Sequence, residues 1–233
     1  MRRGETRVEA LDRKRHRVEA FDCGNPSLDR WLHAYAGQAQ RADVARTYVA
    51  INSERDVVGF YTLVAGQVEH AEATGAVRKA VSRHFPIPIG LIARLAVAMS
   101  DRGKGLGTDL TRDALRRIVA ASEQIGMRAA LVHAVDERAA VFYERLGFEP
   151  ATTDGLTLMV PLAAVRSALS ATDKRARACL ASGPSSVPQV RSQQSPVGRA
   201  EAVRSRRDLV PERIRERRAA DLLEPLEGVV VEL

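Results

Sequence analysis

Leu91-Ile92-Ala93-Arg94-Leu95-Ala96-Val97-Ala98-Met99 passes through Ser100-Asp101 into Arg102-Gly103-Lys104-Gly105-Leu106-Gly107-Thr108. The first part is an apolar run of strand length, suited to burial on both faces. The second part removes side chains at Gly103, Gly105 and Gly107, so the backbone can bend sharply and approach a ligand closely. A helix follows over Gly105–Ile125. Leu106, Leu110, Ala114, Ile118 and Ile125 recur at helical spacing, and Asp109 with Arg112 and Asp113 with Arg117 support the exposed face. Gly126 ends it. N–H groups at a helix start form a nest for an anion, to which Arg102 and Lys104 add full charges. A pyrophosphate is the natural occupant. The dinucleotide fingerprint GxGxxG fails, because Thr108 stands where its third glycine belongs, and the GxxxxGK[ST] phosphate loop fails too.

Elements on either side extend the pattern. Ala129–Val135 reads as a strand, Asp136 as the cap of a helix over Glu137–Leu146 ended by Gly147, and Leu156–Val160 as a last strand. Upstream, Thr47–Ile51 and Val57–Val64 flank the turn Asn52-Ser53-Glu54-Arg55, which predicts an antiparallel hairpin. Ser27–Gln40 reads as a helix with Leu28, Trp31, Leu32 and Tyr35 on one face, and Val77–His84 as a short basic helix before Phe85-Pro86-Ile87-Pro88. Together these predict an α/β fold with a mixed α+β sheet.

Composition sets the bounds. The chain has 233 residues, 45% hydrophobic but only 4% aromatic, so the core is built from Ala, Val, Leu and Ile. A net charge of +7 suits an anionic partner such as nucleic acid. Cys23 and Cys179 offer neither a disulfide framework nor a CxxC metal spacing, which fits a reducing cytoplasm and no metal. No apolar run follows the charged start Arg2, Arg3, Glu5 and Arg7, and no stretch approaches membrane-span length. Beyond about residue 166 the pattern changes. Ser182-Gly183-Pro184-Ser185-Ser186-Val187-Pro188 and Gln193-Gln194-Ser195-Pro196 predict a largely disordered Arg/Ser/Pro-rich tail over 167–233, with a short helix after Pro211, near 211–223.

The pattern Arg-x-x-Gly-x-Gly at Arg102 to Gly107 resembles the coenzyme A pyrophosphate loop of the GNAT acetyltransferases. Phe142-Tyr143-Glu144-Arg145-Leu146-Gly147-Phe148 resembles the same family's FYxxxGF element. The resemblance implies a GNAT-like domain over 1–166, with a splayed central sheet flanked by helices. It implies acetyl-CoA as co-substrate and a coenzyme site at Leu95, Ala96, Val97, Arg102, Gly103, Lys104, Gly105, Leu106, Gly107, Thr108, Asp136 and Phe142. Backbone groups of Leu95 and Val97 would pair with the pantetheine, and Tyr143 would protonate the departing thiolate. Tyr143 also fits as a core aromatic, since Ala139, Phe142, Tyr143 and Leu146 share helical spacing. No general base stands out; His70, His84 and His133 qualify by residue type alone.

Phe21-Asp22-Cys23-Gly24, Leu28-Asp29-Arg30-Trp31-Leu32, Thr47-Tyr48-Val49, Val58-Gly59-Phe60-Tyr61 and Arg94-Leu95-Ala96-Val97 narrow the resemblance to the GNAT toxins of bacterial toxin–antitoxin pairs. This implies acetylation of the α-amino group of aminoacyl-tRNA and a block of translation. It also implies a homodimer and a ribbon-helix-helix antitoxin partner. Arg41, Arg46, Arg78, Lys79 and Arg83 are the candidate RNA contacts, since phosphate needs only reachable positive charge. An acetyltransferase for a protein or small amine, and a non-catalytic coenzyme- or RNA-binding module, are the competing readings.

Overall fold

In the computed structural model, which describes residues 6–151, 155–181 and 231–232, the apolar stretches pair into one mixed sheet. Its strands are β1 (Arg7–Ala10), β2 (Arg46–Ile51), β3 (Val57–Val68), β4 (Ile87–Val97), β5 (Ala129–His133), β6 (Glu149–Pro150), β7 (Thr157–Pro161) and β8 (Val231–Glu232). The order across the sheet is β1-β2-β3-β4-β5-β7-β6, with β8 paired to β4. The first four strands are antiparallel neighbours, and β5 pairs β7 and β7 pairs β6 in the same sense. Among the described strands, only β4 has parallel neighbours, β5 and β8. The β4–β5 join needs a crossover, and helix α4 (Leu106–Ser122) supplies it.

The predicted hairpin forms as β2 and β3. Strand β4 starts earlier than the apolar run suggests, because Ile87, Pro88, Ile89 and Gly90 also pair with β3. Pro88 is tolerated as the second residue of the strand, where ladder bonds are only beginning. Helix α4 stops at Ser122, and Ile125 is 56% exposed, so the helical spacing that included Ile125 runs one turn too far. The segment expected as a helix over Val77–His84 is instead a single turn, α3 (Gly75–Arg78), capped by Thr74. Lys79 and Ala80 form one turn and Arg83 and His84 another, with no helix between them.

Near the start, Asn25 caps α1 (Pro26–Arg30) by accepting from the Ser27 and Leu28 amides, and Pro26 sits in the first turn where no amide is needed. The helical path continues through one π turn, Trp31–Tyr35, into α2 (Ala36–Arg41). A π turn within a helix often marks a functional site. Helix α5 is Glu137–Glu144, with the Asp136 carboxylate accepting from the Ala139 amide at 2.7 Å. Helix α6 (Leu162–Ala181) runs across the point where composition changes. The expected linker over 182–196 and the short helix near 211–223 lie outside the described residues.

Two layers of side chains cover the sheet. Leu95 and Val97 join Leu110, Ala114, Ile118, Tyr143 and Phe148 in a cluster under α4 and α5. On the other side, Ala96 and Ala98 join Phe21, Leu28, Leu32 and Phe60 under α1 and α2. Ile87, Ile89, Leu91 and Ala93 pack with Val77. The register between β3 and β4 slips at Ala93: Leu63 pairs Ile92, and Thr62 pairs Arg94. This bulge reverses the strand's alternation, so Leu95 rather than Arg94 enters the layer under α4 and α5.

Candidate active site

The bulge also marks where β4 leaves β5. Their parallel pairing spans Ile89 with Ala129 to Ile92 with Val132 and ends there. One edge of β4 stays bonded to β3 at Leu95 with Tyr61 and Ala96 with Phe60. The opposite edge is released from β5 beyond Ile92. A splayed pair of parallel strands, with the glycine loop at the end of one, is the geometry that the family resemblance implies.

The loop has two left-handed positions. Gly103 has φ +72° and Gly105, the residue before α4, has φ +86°. Any other residue there would be strained. Gly107, by contrast, lies inside the first turn of α4. No side chain caps that turn, so the early amides of Leu106, Gly107 and Thr108 remain suited to an anion. Lys104 Nζ pairs with Asp101 Oδ1 at 2.9 Å. Arg102 donates to the Cys23 carbonyl, and the Met99 amide donates to the Asp22 carbonyl at 3.0 Å. The Arg102 guanidinium therefore stitches the loop to the turn before α1 as well as adding charge. The Asp22-Cys23-Gly24 motif and the loop, far apart in sequence, are one structural unit.

Tyr143 lies on α5 and is fully buried. Its ring makes edge-to-face contacts with Phe142 and Phe148, centroids 5.1 and 5.3 Å away. Its hydroxyl has no hydrogen-bond partner among the described residues. Burial without a partner raises the phenol's pKa, so the proton stays on. An orphaned buried hydroxyl costs roughly 1–3 kcal/mol, a cost that a ligand atom beside it would remove. Leu95 and Tyr143 belong to the same cluster, which brings the expected pantetheine edge and the expected acid together.

On the other face, Arg94 lies 3.7 Å over the Trp31 ring, and the Trp31 indole donates to Thr62 Oγ1, which pairs with Thr47 Oγ1 at 3.0 Å. Burial lowers the pKa of Arg94 without threatening its charge. Trp31 and Arg94 are remote in sequence, so no local spacing marks the pair. The basic candidates divide into two groups. Arg78, Lys79 and Arg83 line one open cleft of about 800 Å³ with His70. Arg41 and Arg46 lie at the α2–β2 junction, where Arg46 pairs with Asp43 at 2.6 Å. Of the candidate bases, His133 is hydrogen-bonded through Nδ1 to Thr157 Oγ1 at 3.0 Å. His33, in the π turn, has a buried Nε2 without a partner among the described residues. Among the described residues no group of His, Cys, Asp or Glu could hold a metal ion, and no helix is long and apolar enough to cross a membrane.

Comparison with known proteins agrees with this geometry. Residues 43–150 match a model described as "Acetyltransferase (GNAT) domain". A protein of Mycobacterium tuberculosis (strain ATCC 25618 / H37Rv) named "tRNA-acetylating toxin" is 43% identical over 143 residues, spanning 61% of this chain and 84% of the relative. A "Probable toxin TacT" of Sinorhizobium fredii (strain NBRC 101917 / NGR234) is 30% identical over 168 residues, 69% of this chain and 93% of that one. A solved structure of AtaT with acetyl-methionyl-tRNAfMet superposes with TM-score 0.66 at 27% identity, covering 71% of this chain and 99% of AtaT. A tyrosine-to-phenylalanine variant of AtaT, bound to the C-terminus of the antitoxin AtaR and acetyl-CoA, superposes with TM-score 0.60 at 27% identity, covering 70% and 98%.

Proposed function

This chain belongs to the GNAT acetyltransferase family, and from that premise we propose that it acetylates the α-amino group of aminoacyl-tRNA, using acetyl-CoA, and so blocks translation. The observation that carries the reading is the buried, partnerless Tyr143 hydroxyl in one cluster with the Leu95 edge that β5 has released. The acetyltransferase domain is residues 1–166, with 167–233 appended. This agrees with the coverage of relatives, which reaches 71% of the chain.

Each part of the slot has a task. The amides of the Gly103–Thr108 loop, with Lys104 beside them, hold the pyrophosphate. The released edge of β4 at Leu95, Ala96 and Val97 pairs with the pantetheine. Helix α5, started by Asp136, packs Phe142 and Tyr143 beside the thioester. The acceptor's neutral amine attacks the acetyl carbon, forming the C–N bond while the C–S bond breaks. The sulfur leaves as a thiolate and the amine releases a proton. Tyr143 donates a hydrogen bond to that sulfur as charge develops on it. An α-amino group with a pKa of roughly 7.7–8.0 is already partly neutral near pH 7.5, so no strong base is required. Arg94, on the face opposite Leu95 and held by Trp31, is suited to the acceptor's phosphate side. Arg78, Lys79 and Arg83, with Arg41 and Arg46, are the remaining RNA contacts.

The structure of AtaT bound to the C-terminus of the antitoxin AtaR supports neutralisation by an antitoxin; its ribbon-helix-helix type, a homodimer and a cytoplasmic setting belong to the proposal on the family resemblance alone. The deciding experiment transfers label from acetyl-CoA to charged or deacylated tRNA. Label is expected on charged tRNA alone. Label only on proteins or small amines would overturn the substrate assignment and leave the family intact.

A further inference from the structure

Strand β8 occupies a specific place. Val231 pairs with Leu95 and Glu232 with Ala96, both in parallel. A strand has two hydrogen-bonding edges. At Leu95 and Ala96 one edge is already bonded to Tyr61 and Phe60 of β3. Strand β8 therefore lies on the other edge, the one that β5 vacates beyond Ile92. That edge is the one assigned above to the pantetheine, and this inference rests on that assignment.

The sequence suits the position. Gly228-Val229-Val230-Val231-Glu232-Leu233 joins three successive β-branched residues, which favour an extended backbone. Strand β8 belongs to the same compact unit as the rest of the sheet, although it is remote in sequence. A pantetheine arm is also an extended chain carrying amide N–H and C=O groups. It would engage the same backbone groups of Leu95 and Ala96 that the peptide engages. The two occupants are mutually exclusive, because one edge bonds one partner at a time.

We propose that the segment through Val231 and Glu232 is a built-in competitor of acetyl-CoA, seated as a strand on the released edge of β4 and displaced when the coenzyme binds. The slot is then gated by the chain itself. The pairing is short, and a tethered segment has an effective concentration of mM order at most. The apparent affinity for acetyl-CoA is therefore lowered roughly 3–30-fold rather than abolished. Turnover at saturating acetyl-CoA is unaffected, because the segment has then left.

The test compares the full chain, the full chain carrying Val231→Pro, and a chain ended after Glu227. Proline removes an amide donor and disfavours the strand without touching any residue of the slot. Acetyl-CoA dissociation constants are measured by calorimetry, and initial rates with charged tRNA give KM and kcat. Both altered proteins are expected to bind acetyl-CoA roughly 3–30-fold more tightly with kcat unchanged. A peptide of residues 226–233 added to the shortened chain is expected to raise KM for acetyl-CoA and leave kcat alone. Equal dissociation constants in all three proteins, or a peptide that lowers kcat without raising KM, would overturn the competition. Failure of acetyl-CoA to bind any of the three would instead overturn the assignment of the slot, and the competition with it.

Discussion

Tyr143 joins two properties that usually exclude each other: complete burial and an unmet hydrogen bond. Tyr143→Phe keeps the ring contacts to Phe142 and Phe148 and removes only the hydroxyl. Turnover should fall roughly 10²–10⁴-fold, the usual worth of a positioned acid. Because the hydroxyl has no partner among the described residues, stability should hold or rise slightly rather than fall. A variant with undiminished turnover would remove Tyr143 from the chemistry. The raised phenol pKa also fixes the shape of the pH profile. The acceptor amine gains reactivity as pH rises through roughly 7.7–8.0, while Tyr143 keeps its proton beyond its ordinary value near 10. The rate constant kcat/KM should therefore climb to a plateau, with no falling limb below about pH 10. A decline centred near pH 9 would point to another acid. Arg102 shows what a motif leaves unsaid. Its charge was legible beside the glycines, but its bond to the Cys23 carbonyl depends on a turn 79 positions away.

The bulge at Ala93 is the element on which the slot depends. Before it, Ile87, Ile89 and Leu91 share a face; after it, Leu95 and Val97 turn to the layer under α4 and α5. Exchanging two neighbours after the slip, Arg94→Leu with Leu95→Arg, would drive a guanidinium into that apolar layer. An unpaired buried charge costs several kcal/mol, so the exchange should unfold the chain or lower its stability by more than about 3 kcal/mol. A melting temperature within a few degrees of the parent would contradict this account. The sequence shows the strand, the loop and the helix because each follows a local period. It does not show the bulge, since Leu91 to Val97 is apolar on both faces apart from Arg94 and no period marks the slip. The same limit explains the error at Val77–His84: Arg78, Lys79 and Arg83 gave charge, but only Val77 is buried to anchor a helix. Strands β1 and β6 carry no sequence signal of their own, because each is short and takes its identity from its neighbour in the sheet.

At the scale of the whole molecule, the excess of positive charge acts through position. Arg78, Lys79 and Arg83 converge on one cleft, whereas Arg46 is held by Asp43. Replacing Arg78 and Lys79 with Ala should weaken charged-tRNA binding and make it less sensitive to salt. The slope should fall by up to about 0.7–0.9 for each phosphate that is no longer neutralised. An unchanged slope would send the search to Arg41 and the Arg94 face. The bond from Arg102 to the Cys23 carbonyl has a further use. Cys23 is fully buried, and the carbonyl of that same residue is the anchor of the glycine loop. The thiol is thus a clock for loop release. In a Cys179→Ser background, modification by a thiol reagent can proceed only as fast as this anchor opens. Arg102→Ala should quicken the labelling and saturating acetyl-CoA should slow it; identical rates in all three conditions would mean that the anchor does not restrain the loop.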